Sequence, residues 1–237
     1  MADVVCRGIG TDVECIELCV PESKVVQTTI AAEDIIVIAA PVYGGRIPAL
    51  AVERISQIMG DGAKCVVVAV YGNRAYDDAL LELNDIATKA GFSVIAAIGA
   101  IAEHSIVREY GAGRPDSTDA AELESFGKKI AEAIEQNNFK SEITIPGNRP
   151  FKKAMSGPVP SADKSCEGCG ACAKACPVGA IAMNNLRKSN KDLCISCMKC
   201  ISVCPKGARK IGCAMHFAIK TMLKGPCKER KANELVM

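Results

Sequence analysis

The chain has 237 residues, 49 % of them apolar but only 4 % aromatic, and a formal net charge of +2. That length leaves room for two modest domains, and no apolar run approaches the roughly 20 residues of a membrane-spanning helix. The small net charge conceals an asymmetry: residues 1–150 hold 13 Lys and Arg against 22 Asp and Glu, whereas residues 151–237 hold 16 against 5. A basic half suggests nucleic acid, but aromatic residues do not interleave the basic stretch as base stacking requires, so nucleic-acid binding is not expected. Fourteen cysteines need a reducing interior to stay thiols, and no charged-then-apolar leader opens the chain. A cytoplasmic location is expected.

Residues 13–18 (Val-Glu-Cys-Ile-Glu-Leu) alternate as an exposed edge strand would. Residues 35–40 are wholly apolar, the pattern of a buried parallel strand. The turn-rich Pro41-Val-Tyr-Gly-Gly-Arg-Ile-Pro48 follows, and the spacing predicts a helix opened by Pro48 and closed by Gly60. A strand over 65–70 runs into Tyr71-Gly-Asn-Arg-Ala-Tyr-Asp-Asp78. Leu80, Leu83, Ala87 and Ala90 then mark one face of a helix that stops near Gly91. Another apolar strand spans 92–101, and a helix carrying Leu123, Phe126, Ile130 and Ile134 starts between Asp116 and Asp119. Strand–loop–helix units with buried strands predict a parallel α/β sheet. In such sheets ligands sit beyond the carboxyl ends of the strands, where both tyrosine-bearing loops lie. His104, in Glu103-His104-Ser105, carries no expectation of hydrolytic chemistry, because neighbouring residues at a strand end point different ways. No phosphate-binding G-x-x-x-x-G-K or dinucleotide-binding G-x-G-x-x-G motif occurs.

Residues 139–164, with Pro146-Gly-Asn-Arg-Pro150 and Gly157-Pro-Val-Pro160, read as a linker. Beyond it, Cys166, Cys169, Cys172 and Cys176-Pro177 repeat as Cys194, Cys197, Cys200 and Cys204-Pro205. Both follow C-x2-C-x2-C-x3-C-P, the spacing that ligates [4Fe–4S] clusters, with the fourth cysteine serving the other cluster. The expected ligand sets are therefore Cys166, Cys169, Cys172 and Cys204 for one cluster, and Cys194, Cys197, Cys200 and Cys176 for the other. Zinc sites use two C-x2-C pairs across a longer gap and need no pair of identical quartets. Ile211, Met215, Ile219 and Met222 mark a last helix, stopped by Gly225-Pro226 and expected to pack over the cluster-binding part. Cys213 and Cys227 are expected to be packed or free thiols. The expected division is 1–138 for the α/β part, 139–160 for the linker, 161–210 for the cluster-binding part and 211–237 for a helical tail.

Pro41–Pro48, Tyr71–Leu83 and Ile101-Ala-Glu-His-Ser-Ile106, together with the linker and the two quartets, resemble flavodoxin–ferredoxin fusion proteins of anaerobic microbes. The resemblance implies a flavodoxin-like FMN domain followed by a two-cluster ferredoxin domain. It places Val42, Tyr43, Gly44 and Gly45 on one side of the flavin, and Tyr71, Gly72, Asn73, Arg74, Tyr76 and Asp77 on the other. Glycine lets a backbone approach a ring closely and tyrosine offers a flat stacking face. The sequence departs from that family in lacking the first apolar strand and the Ser/Thr-Gly-rich loop whose amides hold the FMN phosphate at a helix N-terminus. Residues 1–9 read as the tail of the helix that should follow, so the α/β part is expected to be N-terminally truncated. Two readings stay open: electron transfer through two clusters coupled to FMN, or a ferredoxin-type carrier with a flavin-free docking domain. A redox sensor built on the clusters is a third. A redox protein, acidic enough to meet the basic half, is the expected partner, and no catalytic residue stands out.

Overall fold

Apolar runs rich in Val, Ile and Ala are strands that can be covered on both faces, and three such runs form the parallel part of the main sheet. The computed structural model describes residues 1–10, 13–21, 28–140 and 142–237. In chain order its elements are α1 (Ala2–Ile9), β1 (Thr28–Thr29), β2 (Ile35–Pro41), α2 (Ala49–Ile55), β3 (Ile58–Met59), β4 (Lys64–Tyr71), α3 (Ala79–Lys89), β5 (Ser93–Ile101) and α4 (Ser117–Glu135). There follow β6 (Ser161–Ala162), α5 (Ala171–Lys174), α6 (Lys199–Ser202), β7 (Arg209–Lys210), α7 (Cys213–Leu223) and β8 (Glu234–Val236). The main sheet runs β2-β4-β5-β8. β2, β4 and β5 are parallel, and β8 returns antiparallel to β5, pairing Glu234 with Gly99 and Val236 with Ala97.

The alternation of side chains along a strand divides the core into two layers. From β4, Cys65, Val67 and Ala69 join Leu80 and Leu83 of α3 on one face. Val66 and Val68 join Val5 of α1 and Leu123 and Ile130 of α4 on the other. α1 and α4 approach through glycines: a Cβ on Gly8 would lie 2.1 Å from the Glu124 carbonyl oxygen, and one on Gly127 would lie 2.2 Å from that of Val5. α4 opens with a capping box in which Asp116 accepts from the Asp119 N–H and Asp119 from the Asp116 N–H, each at 3.0 Å. The fully buried Asp119 carboxylate also takes a two-point contact from the Arg114 guanidinium, with Nε at 2.9 Å.

Several expectations are corrected. Residues 13–18 form no strand; Val13–Glu17 are exposed and Leu18 is half-buried. β2 is only partly covered, with Ile38 and Ala40 buried but Ala39 exposed. The helix after Pro48 ends at Ile55, because Ile58–Met59 leave it to pair with Thr28–Thr29. The tail is helical only over α7, since its last residues become β8. Nor does α7 pack over the cysteine repeats. Its Ile219 and Leu223, with Cys227, close on Ile106, Val107 and Tyr110 of the α/β half. The Tyr110 hydroxyl donates to the Lys220 carbonyl at 2.8 Å, and Lys220 pairs with Glu109 at 2.6 Å. Among the described residues no helix is long and apolar enough to cross a membrane.

Candidate functional site

The two cysteine repeats fold into the same loop twice. In each, the residue two past the first cysteine is left-handed (Gly168 φ 76°, Ser196 φ 56°), as is the residue before the short helix (Gly170 φ 76°, Met198 φ 59°). The glycine three past the last cysteine is left-handed too, at 62° for Gly179 and 57° for Gly207. Serine and methionine pay a steric penalty in that region that glycine avoids. Their presence at the repeat-equivalent positions shows that the loop path, and not glycine's freedom, dictates the conformation. One-turn helices α5 and α6 then carry Cys172 and Cys200 inward, and both are buried.

These loops leave two cavities. The first is lined by Cys166, Cys169, Cys172 and Cys204, together with Leu186, Ala208 and Arg209. The second is lined by Cys176, Cys194, Cys197 and Cys200, with Pro160, Ile181 and Met198. Each gathers the first three cysteines of one repeat and the last of the other. Among the described residues no three His, Cys, Asp or Glu side chains converge to hold a single metal ion. Four thiols spread around a cavity instead match the donor chemistry of an iron–sulfur cube, whose irons each take one thiolate.

Backbone N–H groups surround several of these sulfurs. The Cys204 thiol sits below its ordinary range, chiefly through the Arg209 N–H, with burial opposing and the N–H groups of Ala208, Lys206 and Gly207 adding to it. The Ala180 N–H donates to Cys176 Sγ at 3.2 Å. Burial pushes the Cys197 thiol up, and the Lys199 N–H works against it. Burial raises the Cys200 thiol as well, while the charge and hydrogen bond of the Arg209 guanidinium pull it down. Arg209, 1 % exposed, was not singled out from the sequence. The signal was there: it stands five residues after the last cysteine of the second repeat, where the first repeat has Ile181.

The second cavity abuts the α/β half. Tyr43 lies near Cys197 and Cys19, and burial first, then those two sulfurs, raise its hydroxyl pKa. Lys199 Nζ donates to the Cys19 carbonyl at 2.7 Å, and the buried Arg54 guanidinium reaches the Val20 carbonyl at 2.9 Å and the Pro177 carbonyl at 3.4 Å.

Of the ten residues expected around a flavin, Gly45 and Asp77 bring the two loops into contact, and others meet the rest of the chain. A Cβ on Gly45 would lie 2.1 Å from Asp77 Oδ2, so the two loops are in direct contact. Gly44 backs onto Met155 of the linker, and Gly72 onto His104. Asp77 pairs with Arg74 and with Lys152. The buried Asn73 amide donates to the carbonyls of Cys227 and Glu229 at 3.2 and 2.9 Å. The Tyr76 hydroxyl donates to Glu234 at 2.7 Å, and its ring meets Tyr71 edge-on. Val42 packs against the α2–α3 side of the core. His104 Nδ1 accepts from the Ile106 and Val107 N–H groups, which fixes it as a local loop anchor. Cys213 is exposed and Cys227 buried.

No match to the chain was found among curated proteins or among solved structures. Residues 165–208 match the model of the 4Fe-4S dicluster domain. That segment, which contains all eight repeat cysteines, is a ferredoxin-type iron–sulfur domain joined to an α/β body, and it supports iron–sulfur electron transfer.

Proposed function

We propose that the chain is a one-electron carrier holding two [4Fe–4S] clusters, one on Cys166, Cys169, Cys172 and Cys204 and the other on Cys176, Cys194, Cys197 and Cys200. The observation that carries this reading is the crossed lining of the two cavities, three cysteines from one repeat and the last from the other. Bound clusters would supply the redox chemistry, cycling one electron each. The chain's own residues orient the thiols, screen them from water and set the local charge. We keep the division at 138, 160 and 210 as part of the same proposal. The partner is a redox protein with an acidic face, matched to the excess of Lys and Arg over residues 151–237.

The FMN implied by the resemblance would have to lie between loops that already touch. Their glycines are spent on contacts with Asp77, Met155 and His104, and their polar groups are satisfied by the linker and the tail. These residues do not fit a flavin between them, and no electron step is assigned to one. The α/β half serves instead as a docking body, with Tyr43 and Arg54 at its contact with the second cavity.

Anaerobically purified full-length protein tests both parts. About eight irons and matching sulfide per chain, a reduced-state signal typical of [4Fe–4S]⁺ and no acid-released flavin after incubation with FMN are expected. Bound zinc without sulfide overturns the cluster assignment. Stoichiometric FMN overturns the flavin-free docking body and leaves the clusters in place.

A further inference from the structure

Arg209 is the largest fully buried side chain among the described residues, and it is a cation. Its guanidinium donates to the Leu186 carbonyl at 2.7 Å, the Pro160 carbonyl at 2.9 Å and the Ser189 hydroxyl. Among the described residues no carboxylate is in ion-pair contact with it, and its Nε is a buried nitrogen with no hydrogen-bond partner. A carbonyl cage satisfies donors but does not neutralise charge, and an uncompensated buried charge is among the costliest features a fold can carry. The nearby groups that would turn anionic on binding a cluster are cysteine sulfurs. Nη1 lies 3.7 Å from Cys172 Sγ in the wall of the first cavity.

The internal repeat sharpens the point. Gly-Ala precedes the equivalent residue in both copies, and Ala180 and Ala208 are both buried. Yet the first repeat places the apolar Ile181 where the second places Arg209. The loop therefore accepts an aliphatic side chain at that position, and the arginine is a departure from an otherwise duplicated pattern.

We propose that Arg209 is the internal counter-charge of the cluster pair, a positioning residue that raises the clusters' reduction potentials and makes the two sites unequal. This rests on the cluster assignment above. Thiolate-ligated clusters are anionic and gain further negative charge on reduction, so a fixed cation in a water-poor pocket stabilises the reduced state more than the oxidised one. The site whose wall Arg209 forms takes the larger effect.

The test is a potentiometric titration, followed by the paramagnetic signal of the reduced clusters, on wild-type, Arg209→Ile and Arg209→Lys proteins whose iron and sulfide have first been measured. Wild-type protein without sulfide defeats the cluster assignment itself and is distinguished at that step. With clusters present, Arg209→Ile is expected to shift the reduction equilibrium of at least one cluster at least tenfold toward the oxidised form, about 59 mV for one electron. Arg209→Lys, which keeps the charge but loses the fork to Leu186 and Pro160, is expected to stay within about threefold of wild type. Shifts below threefold at both clusters in a fully loaded Arg209→Ile protein overturn the proposal. Should Arg209→Ile fail to load, Arg209→Lys decides. Retained iron with near-wild-type potentials supports the counter-charge, whereas lost iron or a tenfold fall despite the retained charge shows a hydrogen-bonding scaffold alone.

Discussion

Two buried arginines of this chain, Arg114 and Arg209, are met in opposite ways. In the α/β half Arg114 meets the buried Asp119 carboxylate, inside a fold whose strands and helices already enclose two layers of Val, Ile and Leu. In the cysteine half Arg209 has no carboxylate, and what surrounds it is slight: β6 and β7 have two residues each, α5 and α6 have four, and the buried cluster is Cys172, Cys176, Ala180, Ile181 and Cys200. Helices of one turn are far below the length at which a helix holds itself in water. One half is stabilised by its own side chains; the other is shaped around what its cysteines hold. The largest effect follows from this contrast. Stripping iron by chelation under oxidant should abolish hydrogen-exchange protection across 161–210 while amides of β4 and β5 keep theirs, because metal-site binding energy is folding energy. Loss of protection in both halves together, or in neither, would show that the cysteine half is not held by what it binds.

The α/β half has its own weak point, and it is electrostatic. Asp119→Asn leaves Arg114 buried without its counter-charge and should cost about 3–5 kcal/mol, read as a lowered denaturation midpoint with cluster content unchanged. The same pair sets an acid limit. The Arg114 hydrogen bonds hold the Asp119 carboxyl well below its ordinary value, against the opposing effect of burial. A folded-state pKa that is depressed contributes stability that is complete above the unfolded-state value of about 3.9 and drains as pH falls further below it. The wild type should therefore lose stability on acidification below pH ~4 more steeply than Asp119→Asn does. Parallel acid profiles for the two proteins would remove Asp119 from that account.

A smaller effect tests packing instead of charge. Gly127→Ala drives a methyl into the Val5 carbonyl where α4 crosses α1. Overpacking of this kind costs about 1–3 kcal/mol, which should exceed the gain of up to about 1 kcal/mol from replacing a helical glycine. Net stabilisation would mean that the two helices separate freely.

Some of this was legible in the residues and some was not. The strands at 35, 65 and 93 announced themselves because buried parallel strands need unbroken apolar runs, and α4 because Asp116 and Asp119 cap it. The two quartets stood out because a cube demands fixed spacing, and the segment that holds them matches the 4Fe-4S dicluster domain. Residues 13–18 misled, since alternation says which way side chains point and nothing of whether a neighbour exists to pair with. The tyrosine loops show a different limit: glycine signals close approach without saying to what, and the approaches the structure shows are to Asp77, Met155 and His104. β8 has only three residues, Glu-Leu-Val, too few for any period to show. Arg209 was hidden because one arginine among 16 basic residues in residues 151–237 looks like surface charge until its burial is known.

The smallest effect concerns α7, whose helical spacing promised a lid over the cysteine repeats. Among its residues only Leu223 is buried, toward Val107, and Phe217 stands 72 % exposed. A side chain with so few neighbours has little transfer energy to lose, and substitutions at such positions change stability by no more than about 0.5 kcal/mol. Phe217→Ser should therefore leave the denaturation midpoints and the iron content of both halves where they are. A loss above about 1 kcal/mol confined to the α/β transition would mean that α7 lies deeper against residues 106–110. The same loss in the cysteine half would give the helix back to the clusters and erase the division of labour drawn between the two halves.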